Sequence, residues 1–495
     1  MTKRTTADSM EVQRSPKLNW INGEWVDSLV YNNSINPATG DVIGRYAEGG
    51  RSEAAAGIAA AKAAFTNSEW KTNRHLRSKA LHELADAFEK NAERLMETLA
   101  VDNGKIKSEA RMEVSGVPSK LRYYAALVLT QSGRALETQP GAFSMVLEEP
   151  VGVAGIIAPW NSPVILLIRS LAPALAAGCT AIIKMPGQTA QVNALICEIF
   201  AAVSSLPKGV INQFTESGNE GAAFIISSPD VPTISYTGST ATAKIMMKNG
   251  ADNLKRFGFE LGGKTPMIIL DDADLNVVLP VLQKAVTLFA GQFCMTGSRI
   301  LVQKNIAPQF IEAFTKRLQS VKAGPATDPV SEMGPLINKE NVDRVDKIVE
   351  EAIVSGAKVL LRGGRGTKGE LAKGAFYLPA LLLVTDNKMA IVQEETFGPV
   401  ATIQIFDTIE EAIELANDNK YGLAASVWST DVDLPLRMSR KLEAGTVWIN
   451  NWARINDEFE EGGYKMSGLG RLNGIAAMHE FIQYKHIYHD AGSGK

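Results

Sequence analysis

Apolar residues recur along this chain with two different periods, and the change of period divides it. Residues 18–50 read as short strands and turns, with a hairpin over 20–26 around Asn22-Gly23 and a second turn at Asn36-Pro37-Ala38-Thr39-Gly40. Residues 53–65 are Ala-rich and helical by propensity. Leu76, Leu84, Phe88 and Leu95 then mark further amphipathic helix, and 114–130 is helical again. Near Val151 the texture shifts to short β-rich runs at 151–158, 180–183, 211–214 and 233–236, with helical segments between them. The clearest helix, 191–203, puts Val192, Leu195, Ile196, Ile199, Phe200 and Val203 on one face and stops at Leu206-Pro207 and Gly209. Strand and helix in alternation predict βαβ units and a parallel sheet, whose ligands bind at the carboxyl ends of the strands.

A second alternation opens at 266–270, with helices expected at 342–357 and 409–417 and strands at 400–405 and 424–428. The Gly-rich stretch 362–369 reads as a surface loop. At 495 residues, two or three domains are expected. The net charge of −3, with no basic block, gives no footprint for nucleic acid. The longest apolar stretch, 151–177, is broken by Pro159, Asn161, Pro163, Arg169 and Pro173, so no membrane span is expected. The first 17 residues lack the apolar core of a secretory signal. Cys179, Cys197 and Cys294 form neither a disulfide framework nor a metal motif. A cytoplasmic, reducing setting and no metal are therefore expected.

Cys294 sits in Gly291-Gln292-Phe293-Cys294-Met295-Thr296-Gly297, between a helix-like run and a strand-like run at 299–303. A cysteine there is held by scaffold yet open to a ligand, and a thiolate is a strong nucleophile; a buried structural thiol is the competing reading. Tyr236-Thr237-Gly238-Ser239-Thr240 follows a strand and opens a helix, so Gly238 and Ser239 fit a phosphate site or an ordinary capped turn equally. Lys184, at a strand end, fits a nucleotide contact or a snorkelling surface lysine. Asn161, in Pro159-Trp160-Asn161, offers an oxyanion donor or is a turn residue. Glu260, in Phe259-Glu260-Leu261-Gly262-Gly263-Lys264, is a general base if desolvated and otherwise a surface carboxylate.

Taken together and in this order, these motifs resemble the aldehyde dehydrogenase superfamily over nearly the whole chain. Phe-Glu-Leu-Gly-Gly-Lys and Gly-Gln-x-Cys are its most specific signatures, and Glu394-Glu395-Thr396-Phe397-Gly398-Pro399 and Gly462-Gly463-Tyr464-Lys465-Met466-Ser467-Gly468 agree. The resemblance implies an α/β fold in three parts. These are a Rossmann-like nucleotide-binding domain (1–131 and 151–261), an α/β catalytic domain (262–464) and a small β element (132–150 and 480–495) that assembles a homodimer or homotetramer. It implies oxidation of an aldehyde to a carboxylic acid. Cys294 would be the nucleophile, Asn161 with the Cys294 amide the oxyanion site, and Glu260 the base that activates water. Lys184 and Glu395 would bind the two riboses of NAD, Phe397 would pack near the nicotinamide ribose, and Trp160, Gly238 and Ser239 would line the cofactor site. The alternatives are a CoA-acylating enzyme, which does not require Glu260, and a catalytically idle protein on the same fold. A cysteine hydrolase would need a histidine partner, and His75, His82, His479, His486 and His489 lie outside every motif.

The chain departs from the family pattern in three places. Gly187 stands where many NAD-dependent members carry a glutamate, so NADP is expected to be tolerated beside NAD. The glycine pair after the 211–214 strand is reduced to Gly218. The approach to the C-terminal signature, Asp457-Glu458-Phe459-Glu460-Glu461, lacks the usual proline, and Phe459 there is expected at the substrate entrance. Arg169 lies eight residues after Asn161, a spacing that places it with Ile165 and Leu166 towards the substrate. It is expected either to grip the carboxylate of a semialdehyde, as the matching arginine does in similar succinate-semialdehyde dehydrogenases, or to pair with a protein carboxylate between helices; similar enzymes that act on aromatic aldehydes also tolerate arginine there.

Overall fold

The computed structural model describes residues 15–492. The expectations for the first residues of the chain and for 493–495 lie outside them.

The 20–26 hairpin forms as read, with Trp20 opposite Trp25 and the left-handed φ of Asn22 (55°) and Gly23 (74°) that such a turn requires. Its strands, Asn19–Ile21 and Glu24–Val26, begin one edge of an eight-stranded sheet. The order continues Ile211–Glu216, Thr180–Pro186, Val153–Ile157, Thr233–Thr237, Arg256–Glu260, Gly468–Leu469. The five central strands run parallel, and the flanking ones are antiparallel. Ala154, Ile156, Ile182, Ile183 and Ile234 are fully buried, as a sheet covered on both faces demands. The chain enters at Val153–Ile157, moves outward on one side, then returns to the other side with Thr233–Thr237. A reversal of that kind opens a crevice at the carboxyl ends of the strands.

A second sheet of seven strands holds Lys358–Leu361, Ala380–Leu383, Val400–Phe406, Arg299–Gln303, Pro266–Ile269, Ala424–Trp428 and Thr446–Ile449, in that order. Only its Lys358–Leu361 edge is antiparallel. A third, three-stranded sheet pairs Ile482–Asp490 with Ala142–Pro150, and that strand with Arg134–Gln139. Leu136, Leu147, Tyr484 and Tyr488 are exposed on it.

Two local expectations change. Lys184 does not end its strand, which continues to Pro186; it lies level with Ile157, the last residue of the neighbouring strand, so it still faces the crevice. The stretch 362–369 is more than a loop: Gly364–Arg365 pairs with Tyr377–Leu378, and Arg362 and Arg365 are tied to Asp346. Among the described residues no helix is long and apolar enough to cross a membrane, and no cluster of His, Cys, Asp and Glu could hold a metal ion.

Candidate active site

The crevice collects side chains from successive strand ends. Asn161 follows Val153–Ile157 and precedes the helix Pro163–Ala177, whose first position is the proline that suits it. Ser162, its N-cap, makes no side-chain cap. The free N–H of Val164 instead donates to Glu113 Oε1 at 2.8 Å, a carboxylate brought from the helix Lys107–Thr130. Glu113 is buried and pairs at 3.0 Å with buried Lys105. Lys105 Nζ in turn donates to the Asn161 carbonyl (2.5 Å) and to Ser162 Oγ (3.1 Å), and lies 3.2 Å from the Phe289 ring centroid.

On the other side of the crevice, Phe289, Ala290 and Gly291 take three successive left-handed conformations just before the cysteine. Gly291 takes this conformation freely, but Phe289 and Ala290 cost about 1 kcal/mol or more each and need surroundings that hold them there. Glu109 Oε1 accepts the Phe289 N–H at 2.7 Å, and Gly291 allows close approach to the Gly398 carbonyl. Gln292 fixes the next step: its Oε1 accepts from Ile337 N, its Nε2 donates to Phe289 O, and its carbonyl accepts Asn161 Nδ2 at 3.0 Å. Thr296 and Trp452 hold the far side of the turn through the carbonyls of Phe293 and Met295. Among the described residues the Cys294 amide has no hydrogen-bond acceptor. An amide NH2 carries two protons, so Asn161 keeps one after bonding Gln292. Two N–H donors therefore remain at the turn that carries the thiol, one on Cys294 itself and one on the Asn161 amide bonded to Gln292.

Glu260 is the last residue of Arg256–Glu260, 4 % exposed, and its Oε1 is buried without a partner. A Cβ added at Gly462 would stand 3.0 Å from that oxygen. Burial raises its carboxyl to about 8; Arg169 pulls it down and Glu461 pushes it up. Burial likewise raises the half-buried Cys294 to about 12, with Arg169 the main opposing charge.

Arg169 has the protein-carboxylate partner that was one of its two readings. Its Nη1 lies 2.9 Å from Glu461 Oε1 and its Nη2 3.3 Å from Thr237 Oγ1, while Nε is buried without a partner. Burial opposes its charge, but Glu461, then Glu260 and Cys294, more than offset this and hold the guanidinium above its ordinary value. Phe459 is exposed, in the same loop.

The expected cofactor residues lie along the crevice. Ser239 caps the helix Thr240–Gly250 through Thr242 N, and the Gly238 N–H bonds the Glu260 carbonyl. A Cβ at Gly238 would run into the Tyr236 hydroxyl, and one at Gly262 into the Glu395 carboxylate, so both positions require glycine. Glu395 accepts the Gly263 N–H at 3.2 Å, and burial raises it to about 7. Trp160 and Phe397 meet edge to face at 5.6 Å. Lys184 is lowered by burial and opposed by Glu216 and Glu48. At Gly187 a Cβ would collide with the Tyr46 hydroxyl. This donor set, one lysine with a helix N-terminus and an aromatic pair, fits a dinucleotide.

Lys105, Glu109, Glu113 and Glu461 were not singled out from sequence. One signal was present: Glu109 and Glu113 share a helical face with Ala110, Val114 and Val117, which marks carboxylates on a buried stripe.

The model of the aldehyde dehydrogenase family matches residues 25–487. A betaine aldehyde dehydrogenase of Bacillus subtilis (strain 168) is 37% identical, over 95% of this chain and 96% of its own. A (Z)-2-((N-methylformamido)methylene)-5-hydroxybutyrolactone dehydrogenase of Acinetobacter baylyi is 34% identical over 95% and 96%. The crystal structure of betaine aldehyde dehydrogenase from Staphylococcus aureus in complex with NAD+ superposes with a TM-score of 0.95 at 35% identity, covering 99% of this chain and 98% of that one.

Proposed function

The chain belongs to the aldehyde dehydrogenase family and oxidises an aldehyde with NAD, and we propose that Cys294, Asn161 and Glu260 do this by a covalent, hydrolytic route. The Cys294 thiol first gives its proton to solvent, with Arg169 favouring the anion, and the thiolate sulfur bonds to the aldehyde carbon to give a thiohemiacetal, whose oxyanion is met by the second Asn161 Nδ2 proton and the Cys294 N–H. Bound NAD supplies the acceptor for the hydride that leaves this carbon, so that a thioester remains on Cys294. The Glu260 carboxylate then takes a proton from water, the water oxygen adds to the thioester carbon, and the Cys294 thiolate leaves with release of the acid.

The observation that carries this reading is Glu260 itself. A buried carboxylate with a free oxygen, raised to about 8, has no structural task to explain it. Lys184 and Glu395 are assigned to the riboses, Gly238 and Ser239 to the phosphates, and Trp160 and Phe397 to the nicotinamide end. The first sheet serves as the nucleotide-binding domain and the second as the catalytic domain. The exposed apolar residues of the three-stranded sheet support its use in a homodimer or homotetramer, since open strand edges favour pairing. The three free cysteines accord with a reducing, cytoplasmic setting.

The test is NADH formation over a panel of aldehydes, with and without CoA. Turnover without CoA, abolished in Cys294→Ser, is the expected result. A strict requirement for CoA would contradict the hydrolytic route.

A further inference from the structure

Arg169 is a cation whose charge acts on both Glu260 and Cys294, and the structure does not leave it free. It projects from the helix that begins just after Asn161, is 4 % exposed, and meets Glu461 at 2.9 Å. Glu461 is itself held firmly. Its Oε2 accepts from Asn473 Nδ2 at 3.0 Å, and Asn473 Oδ1 accepts from Lys120 Nζ at 2.5 Å. Lys120 also pairs with Asp457 at 2.5 Å, while the backbones of Glu461 and Leu472 exchange two hydrogen bonds of 2.7 and 2.8 Å. The loop that departs from the family pattern is thus strapped onto two helices by two ion pairs, and Gly462, its next residue, backs onto Glu260.

We propose that Glu461 sets the charge selectivity of the aldehyde site by occupying Arg169, so that the enzyme prefers neutral to carboxylate-bearing aldehydes. The inference rests on Cys294 being the nucleophile. A substrate carboxylate seeking Arg169 must displace a carboxylate already fixed by Asn473 and by the backbone bridge. It must do so under a loop whose Asp457, Glu458, Glu460 and Glu461 outnumber the cations Lys120, Arg169 and Arg471 around it. Like charges brought together in a poorly hydrated site repel strongly. The unpartnered Arg169 Nε shows that the guanidinium has capacity to spare once Glu461 loses its charge. Glu461→Gln keeps the shape and leaves Arg169 uncompensated, a vacancy that a substrate carboxylate would fill.

The experiment compares kcat/KM for succinic semialdehyde and for isohexanal, its neutral isostere, in wild type, Glu461→Gln and Arg169→Leu/Glu461→Gln. Wild type is expected to favour isohexanal. In Glu461→Gln the ratio should move towards the semialdehyde by about tenfold or more, mainly through KM, and in the double variant the gain should vanish. Equal or better use of the semialdehyde by wild type would overturn the proposal even if no variant folds. So would an unchanged ratio in a Glu461→Gln enzyme that still oxidises isohexanal, or a gain that survives loss of Arg169. Wild type that forms no NADH with either aldehyde, or with any other, would instead overturn the reading of the site itself.

Discussion

Lys105 Nζ lies 2.5 Å from the backbone carbonyl of Asn161, and the same ammonium rests on the Phe289 ring at the start of the cysteine turn. One buried side chain therefore joins the backbone of Asn161, which follows a strand of the first sheet, to the start of the cysteine turn, which leads into a strand of the second. Lys105→Met would leave Glu113 buried and unpaired, a change that costs about 3–5 kcal/mol. Denaturant unfolding should report that loss. In the fraction that stays folded, kcat should fall more than KM rises, and the Lys105→Met/Asn161→Ala pair should be strongly non-additive. Additive effects would separate Lys105 from Asn161.

The pH dependence follows from Glu260. Its raised value keeps it protonated at neutral pH, so hydrolysis should climb with pH through an apparent midpoint around 8. Arg169 favours the carboxylate and Glu461 disfavours it. Arg169→Leu should move the midpoint up and Glu461→Gln should move it down, opposite displacements that general loosening of the site would not produce. The same carboxyl makes folding prefer the proton: the native state binds more protons than the unfolded chain between about 4.5 and 8. Its contribution to stability is thus present at low pH and declines as pH rises through that window.

Arg169 is also the main charge lowering the Cys294 thiol against burial. Alkylation of Cys294 by iodoacetamide at neutral pH should be several-fold slower in Arg169→Leu than in wild type, because less thiolate is present. A faster reaction would mean that Arg169 shields the thiol sterically instead.

At the adenosine end, restoring the family's glutamate should fail. Gly187→Glu brings a side chain against the Tyr46 hydroxyl and Ser217, and overpacking of this kind costs about 1–3 kcal/mol. The expected result is a lower melting temperature with no gain in NAD affinity. Charge discrimination is expected from Glu48, which accepts from the Ser217 N–H at 2.7 Å, and from Glu216, both acting on Lys184. Glu48→Gln should raise kcat/KM for NADP relative to NAD by a few-fold, and wild type should favour NAD while still turning over NADP.

The strand runs at 151–158, 180–183, 211–214 and 233–236 were legible because buried parallel strands are short apolar runs between helices. The residues at their ends could be placed in a crevice from that alternation alone. Cys294, Asn161 and Glu260 could be proposed as the reacting groups because each stands in a motif that reads clearly along the chain. Glu461 was not legible, because a carboxylate in an acidic loop reads as solvated until a partner 292 positions away, Arg169, is brought to it. Lys105 was hidden because it lies in the short link before the helix Lys107–Thr130, where no periodicity marks burial, whereas Glu113 left a trace on the buried stripe of that helix. Arg362 to Gly369 misled in the other direction, since a stretch whose glycines look like slack pairs at Gly364–Arg365 with Tyr377–Leu378 and has its arginines tied down.

The most direct test of the central claim is the first turnover of Glu260→Gln, mixed rapidly with NAD and excess aldehyde. If Cys294 forms the thioester and Glu260 serves its hydrolysis, the variant should release a burst of about one NADH per active site and then nearly stop, with steady-state turnover down by about a hundredfold or more. A variant that loses the burst along with the steady state, with Cys294 still open to alkylation, would contradict that division of labour.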